Sequence, residues 1–105
     1  MAQYDIYPNP SPRSRDEVPY LVDVQSDLLA DLRTRLVMPL AHTGAQFTQA
    51  PRRLSPTFIV EGQVLALQPH LAAGVEARVL KKPVGSLATR AADLRDAMDA
   101  VLSGV

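Results

Sequence analysis

The stretch Tyr20-Leu21-Val22-Asp23-Val24-Gln25-Ser26-Asp27-Leu28-Leu29 decides how the rest of the chain is read. Its first six residues alternate: Tyr20, Val22 and Val24 fall on one side of an extended chain, while Asp23 and Gln25 fall on the other. That two-residue period predicts a strand with one face in the core. Ser26 and Asp27 interrupt it, and the adjacent Leu28 and Leu29 precede a polar turn, so at least one of the two leucines should point to solvent.

Working outward, Arg35-Leu36-Val37-Met38-Pro39-Leu40 restores the extended pattern as a further strand. Pro39 has no N–H for a ladder, which places this strand at an edge or a bulge. Upstream, Tyr4-Asp5-Ile6-Tyr7 reads as a short strand ended by Pro8. Residues 8–19 hold four prolines together with Asn9, Ser11, Ser14 and several charges, the composition of an exposed loop that does not pack. Downstream, residues 42–56 lack periodicity and predict a connection with at most one helical turn. Thr57-Phe58-Ile59-Val60 and Val64-Leu65-Ala66-Leu67 flank Glu61-Gly62-Gln63, the signature of a hairpin, and Ala77-Arg78-Val79-Leu80 predicts a last strand.

From Leu87 the period changes. Leu87, Ala91, Leu94, Met98, Val101 and Val105 follow at steps of three or four, one stripe of an α-helix that lies on the sheet, with Ser86 as N-cap and an Arg95–Asp99 pair on an outer face. Met98, Val101 and Leu102 read as core or dimer-packing residues, and the apolar tip Ser103-Gly104-Val105 is placed to reach a partner.

The 105 residues suit one domain spanning 1–105, and a 47% hydrophobic content is enough for a core. With three Tyr, two Phe and no Trp, that core rests on aliphatic packing, and a second subunit is expected to add stability. Eleven basic and eleven acidic residues cancel, which argues against a broad field for nucleic acid or anionic lipid. The chain has no cysteine, so disulfides and thiol chemistry are excluded, and a reducing compartment is compatible. With neither a signal-peptide pattern nor a membrane-length apolar run, the expected location is cytoplasmic.

No conventional catalytic constellation stands out. Asp23 and Asp27 sit four apart on a strand and its turn, a spacing that supplies no shared cleft for acid–base work. The same lack of an acid–base pair argues against RNA cleavage. His42 and His70 lack a helix-spaced second ligand, and Arg52, Arg53, Lys81 and Lys82 come in pairs without interleaved aromatics. No catalytic residue, cofactor or metal ligand is assigned.

The run from Tyr20 to Leu29 resembles the second-strand signature of the CcdB family of toxins. Gln3-Tyr4-Asp5-Ile6-Tyr7 and Arg35-Leu36-Val37-Met38-Pro39-Leu40 resemble its flanking strands, and the order of hairpin, strand and C-terminal helix agrees. The resemblance is strongest over residues 20–40 and weaker over 41–78, and the loop 8–19 is longer than in the best-known member. It implies a mainly β, SH3-like antiparallel sheet with a C-terminal α-helix, forming a homodimer. It also implies a toxin that binds the A subunit of DNA gyrase and traps the enzyme on cleaved DNA. A cognate antitoxin with a disordered C-terminal tail would neutralise it, and the two would co-repress their operon, so that DNA is met only through the antitoxin.

By the same resemblance the gyrase contact falls on Leu28 and Leu29 and on Asp99, Leu102, Ser103, Gly104 and Val105. Two of these positions depart from the family pattern: Ser103 stands where the best-known toxin has Trp, and Asp99 where it has Asn. An interface Trp commonly contributes about 2–4 kcal/mol, so the alternative reading is an antitoxin-binding, autoregulatory module that has lost gyrase poisoning.

Overall fold

The computed structural model describes residues 2–42 and 55–104; segment 43–54, where a helical turn was allowed and where Arg52 and Arg53 fall, and the terminal Val105 lie outside the described residues. In chain order the described elements are β1 (Asp5–Pro8), β2 (Tyr20–Asp23), β3 (Thr34–His42), β4 (Thr57–Val60), β5 (Gln63–Leu67), β6 (Ala73–Glu76), β7 (Gly85–Ser86) and α1 (Ala91–Ser103). The strands form one antiparallel sheet in the order β4-β5-β3-β2-β1-β7, with β6 pairing the first half of β3. Thr57, Phe58 and Ile59 of one edge and Ser86 and Leu87 beside the other line a common cleft. The sheet therefore curls until it is nearly barrel-like, and the mainly β fold with a C-terminal helix is the one expected.

Strand β3 is central, which overturns the edge position that was one of the two expected from Pro39. Its partner on one side changes at that residue: Thr34 to Val37 pair with β6, whereas Leu40 to His42 pair with β5. Pro39 sits at the seam, where no ladder N–H is required, and its carbonyl accepts from the Gln68 amide at 2.9 Å. A proline is thus tolerated in the middle of the sheet because two half-length neighbours meet there.

The one-sided strand expected at residues 20–25 is buried on both faces. Val22, Met38 and Leu40 join Ile6, Leu65 and Leu67 in the main core under α1, to which the helix contributes Leu94 and Ala97. On the opposite face Tyr7, Leu21 and Val37 pack with Leu80, and Val18 and Val75 cover them. Asp23 is consequently fully buried, and Gln25 is nearly so, where alternation alone placed both in solvent. Truncating a fully buried Leu of the main core to Ala would cost about 2–5 kcal/mol.

Three other local readings are corrected. Residues Ala77–Val79 form a 3-10 turn, and the strand lies just before it at Ala73–Glu76. Helix α1 begins at Ala91 and not at Leu87; Ser86, two residues before a 3-10 turn, Ala88–Arg90, that leads into the helix, accepts at Oγ from the Ala88 amide at 3.1 Å, and the cap position of that turn is Leu87. Arg95 and Asp99 form no ion pair; the pair on this segment is Arg90 with Asp93, and the Arg90 guanidinium also lies 4.3 Å over the Phe58 ring, tying the helix start to β4.

The hairpin matches its reading. Glu61 (φ 49°) and Gly62 (φ 79°) both take positive φ, the two-residue turn whose twist suits antiparallel strands. Glu61 tolerates this strained conformation while accepting a hydrogen bond from the Tyr20 hydroxyl at 3.1 Å. The proline-bearing loop is exposed over residues 11–17 as expected, yet it is organised around one buried residue. Asn9 Nδ2 donates to Ser14 Oγ and to the Val18 carbonyl, its Oδ1 accepts from the Ser11 amide, and Arg15 Nε donates to its carbonyl.

Candidate functional site: an outward leucine turn and the helix end

Beyond β2 the pairing continues for one more residue, as the Val24 amide donates to the Leu36 carbonyl at 2.9 Å. The chain then turns through a single 3-10 turn, Asp27–Leu29, whose Leu28 amide donates to Ser26 Oγ at 3.2 Å. Serine there does what alternation cannot: it caps a tight turn by accepting from the backbone two residues on. The turn aims Leu28, 94% exposed, and Leu29, 49% exposed, into solvent. Leu32, on the same connection, is 51% exposed and was not singled out from sequence, although a third leucine in so polar a run was the available signal.

At the other end of the chain Asp99, Leu102, Ser103 and Gly104 are all exposed, Leu102 by 76%. Gly104 closes α1 in the left-handed conformation (φ 73°) with its amide donating to the Ala100 carbonyl at 3.0 Å, a helix cap that glycine makes without strain. The Ser103 hydroxyl donates to the Asp99 carbonyl at 2.7 Å and so is folded back along the helix. Val105, the seventh residue expected in the site, lies outside the described residues.

A mostly apolar groove of about 230 Å³ is walled by Val24 and Met38 on the sheet side and by Leu94, Arg95 and Met98 of the helix, with Gln3 at its margin. The Gln3 amide donates to Asp27 Oδ1 at 2.9 Å and its Nε2 donates to the Val24 carbonyl at 3.2 Å. The leucine turn therefore rises from one wall of the groove, and Leu102 lies one helical turn beyond Met98 on the other. Among the described residues no hydrogen bond or ion pair links the turn to residues 99–104. Met98, expected in a core or a dimer contact, is half-buried, and Val101 is 37% exposed.

A buried polar chain underlies the turn. Arg35 Nε donates to Asp23 Oδ2 at 2.7 Å, with the residues 1% and 0% exposed. Arg35 Nη2 is equally close to that oxygen but makes no aligned hydrogen bond with it, and among the described residues neither Nη2 nor the buried Tyr7 hydroxyl has a hydrogen-bond partner. Asp23 Oδ1 accepts from the Gln25 amide at 3.0 Å. Burial raises the Asp23 carboxyl above its ordinary 3.8, with a smaller push from Asp5, although the Arg35 and Gln25 hydrogen bonds and the Arg35 charge pull it down. Burial likewise raises the Tyr7 phenol, helped by Asp5 and Asp23 and opposed by Arg35.

The remaining polar candidates stay apart. Asp23 is buried while Asp27 is exposed on the turn, so the two share no cleft. His42 ends β3 and His70 belongs to the turn Pro69–Leu71; among the described residues no three His, Asp or Glu side chains gather as a metal would require. Lys81 and Lys82 are solvated. No described helix is long and apolar enough to cross a membrane.

No curated protein matches the chain. The family model described as CcdB protein matches residues 3–104, from the Gln3 that buttresses the leucine turn to the Gly104 that caps the helix. By this match over nearly its whole length, the chain belongs to the CcdB family, the toxins of toxin–antitoxin systems.

Proposed function

We propose that this chain is a gyrase poison: a cytoplasmic homodimer that binds the A subunit of DNA gyrase and traps the cleaved-DNA complex. A cognate antitoxin neutralises it through a disordered C-terminal tail, and the two together repress their operon, with DNA contacted through the antitoxin. The observation that carries the reading is the exposure of Leu28 and Leu102, 94% and 76%, on a turn that follows Val24 in the chain and on the last turn of the helix, Val24 and Met98 both lining one groove. Exposed apolar residues grouped in this way favour a protein partner over solvent. Gly104 adds a helix end without a side chain, which lets a partner backbone approach.

The test is supercoiling inhibition and cleavage-complex formation by purified gyrase. The native chain should stabilise cleaved DNA, and both Leu28→Asp and deletion of Gly104 and Val105 should weaken inhibition about a hundredfold or more without unfolding the domain. A folded native chain that leaves gyrase untouched would sink the reading.

One observation favours the second reading, an antitoxin-binding module without gyrase activity. The Ser103 hydroxyl is turned back to the Asp99 carbonyl and presents neither apolar area nor a free donor at the tip. Growth arrest on expression without antitoxin separates the two readings.

A further inference from the structure

A leucine that is 94% exposed gains nothing for folding, yet its backbone is held from several sides. The Gln25 side chain does most of this. Its Nε2 donates to the Leu29 carbonyl at 3.0 Å, and its Oε1 accepts from the Leu36 amide at 2.9 Å. One side chain thus staples the far end of the leucine turn to the start of β3, while the end of the same connection is tied separately by the Arg33 carbonyl, which accepts from the Ala77 amide at 2.7 Å. Gln25 is itself 8% exposed, and its backbone amide is held by Asp23, which is held in turn by Arg35. Gln3 grips the opposite side of the turn through Asp27.

We infer that Gln25, anchored by the buried Asp23–Arg35 pair, is the positioning residue that holds Leu28 and Leu29 in their outward pose. The purpose assigned to that pose rests on the proposed gyrase contact, whereas the geometry does not. A turn ordered before contact loses less conformational freedom on binding, so the staple acts on affinity without touching the partner.

The experiment measures backbone ¹⁵N order parameters and gyrase affinity for the native chain, Gln25→Met and Leu28→Ala. Methionine fills similar space and removes both side-chain hydrogen bonds. Native Leu28 and Leu29 should be as rigid as the sheet, near 0.85, and fall below about 0.6 in Gln25→Met, while residues of β2 and β3 stay rigid. Affinity for gyrase should fall about tenfold in Gln25→Met. Leu28→Ala should lose affinity with a rigid turn, the pattern of a contact residue. Should Gln25→Met fail to fold, the native Gln25 side-chain amide decides: an order parameter matching the backbone supports the staple, and one below about 0.6 overturns it. Unchanged rigidity at Leu28 and Leu29 in Gln25→Met also overturns it. If the native chain does not bind gyrase, the proposed function falls, and the order parameters still decide the positioning role.

Discussion

Arg35 Nε donates to Asp23 Oδ2 at 2.7 Å from one central strand to its neighbour, with both side chains withdrawn from water. A buried pair of this kind is costly to break and cheap to replace, because removing one side chain takes away the other's hydrogen-bond partner in the interior, an acceptor that a protonated carboxyl still supplies, whereas removing both removes the desolvation penalty as well. Asp23→Ala should therefore destabilise the chain by about 3–5 kcal/mol in urea unfolding. The double variant Asp23→Leu/Arg35→Met should be within about 1 kcal/mol of native or more stable. A double variant as damaged as the single one would show that the pair contributes more than charge neutrality.

The pair also sets a pH dependence with a definite sign. Burial holds the Asp23 carboxyl above its ordinary 3.8 despite Arg35, so the folded chain takes up this proton more readily than the unfolded chain. Its contribution to stability is then fully present below 3.8 and is lost as pH rises through the raised folded value. Relative to Asp23→Leu/Arg35→Met, the native chain should gain stability on acidification from neutral pH into the carboxylate range. Paired unfolding curves check this; a native chain that instead loses ground would mean that Arg35 outweighs burial.

Asn9 organises the loop 9–19 with three side-chain hydrogen bonds, to Ser14, Val18 and Ser11. Asn9→Ala should cost about 1–3 kcal/mol and raise the rate of proteolytic cutting within residues 11–17 ahead of global unfolding. Cleavage at the native rate would remove Asn9 as the organiser.

At the helix end Ser103→Trp replaces a hydroxyl folded onto the Asp99 carbonyl with a large aromatic surface at an exposed site. Under the gyrase reading this should strengthen inhibition by about one to two orders of magnitude, on a hot-spot contribution of roughly 2 kcal/mol or more. The melting temperature should change little. A variant that gains nothing, in a chain that binds gyrase, would place Ser103 outside the contact.

What residue order alone carried is clearest where the signal is local. Alternation in Tyr20 to Gln25 placed Tyr20, Val22 and Val24 on the core side, and the Gly62 of Glu61-Gly62-Gln63 marked the hairpin, although Gln63 joins the strand and the turn is two residues, because both signals depend on neighbouring φ and ψ values and side-chain period. The break at Ser26 was likewise enough to put a leucine in solvent. The end of α1 at Gly104 was not legible in the apolar stripe, which runs on to Val105, although a glycine that takes a left-handed cap was the local signal available.

What only the tertiary structure decided concerns the second face of the sheet. Leu80 and Val75, distant in sequence from β1 and β2, cover Tyr7, Leu21 and Val37, and that cover converts Asp23 and Gln25 from solvent groups into a buried chain that ends on the Leu29 carbonyl. It also made Pro39 a seam between β5 and β6 in place of an edge. Burial and partner exchange are set by which segments meet across the sheet, and no local period records that meeting; a charged residue on an alternating strand reads as exposed until another strand supplies its counter-ion.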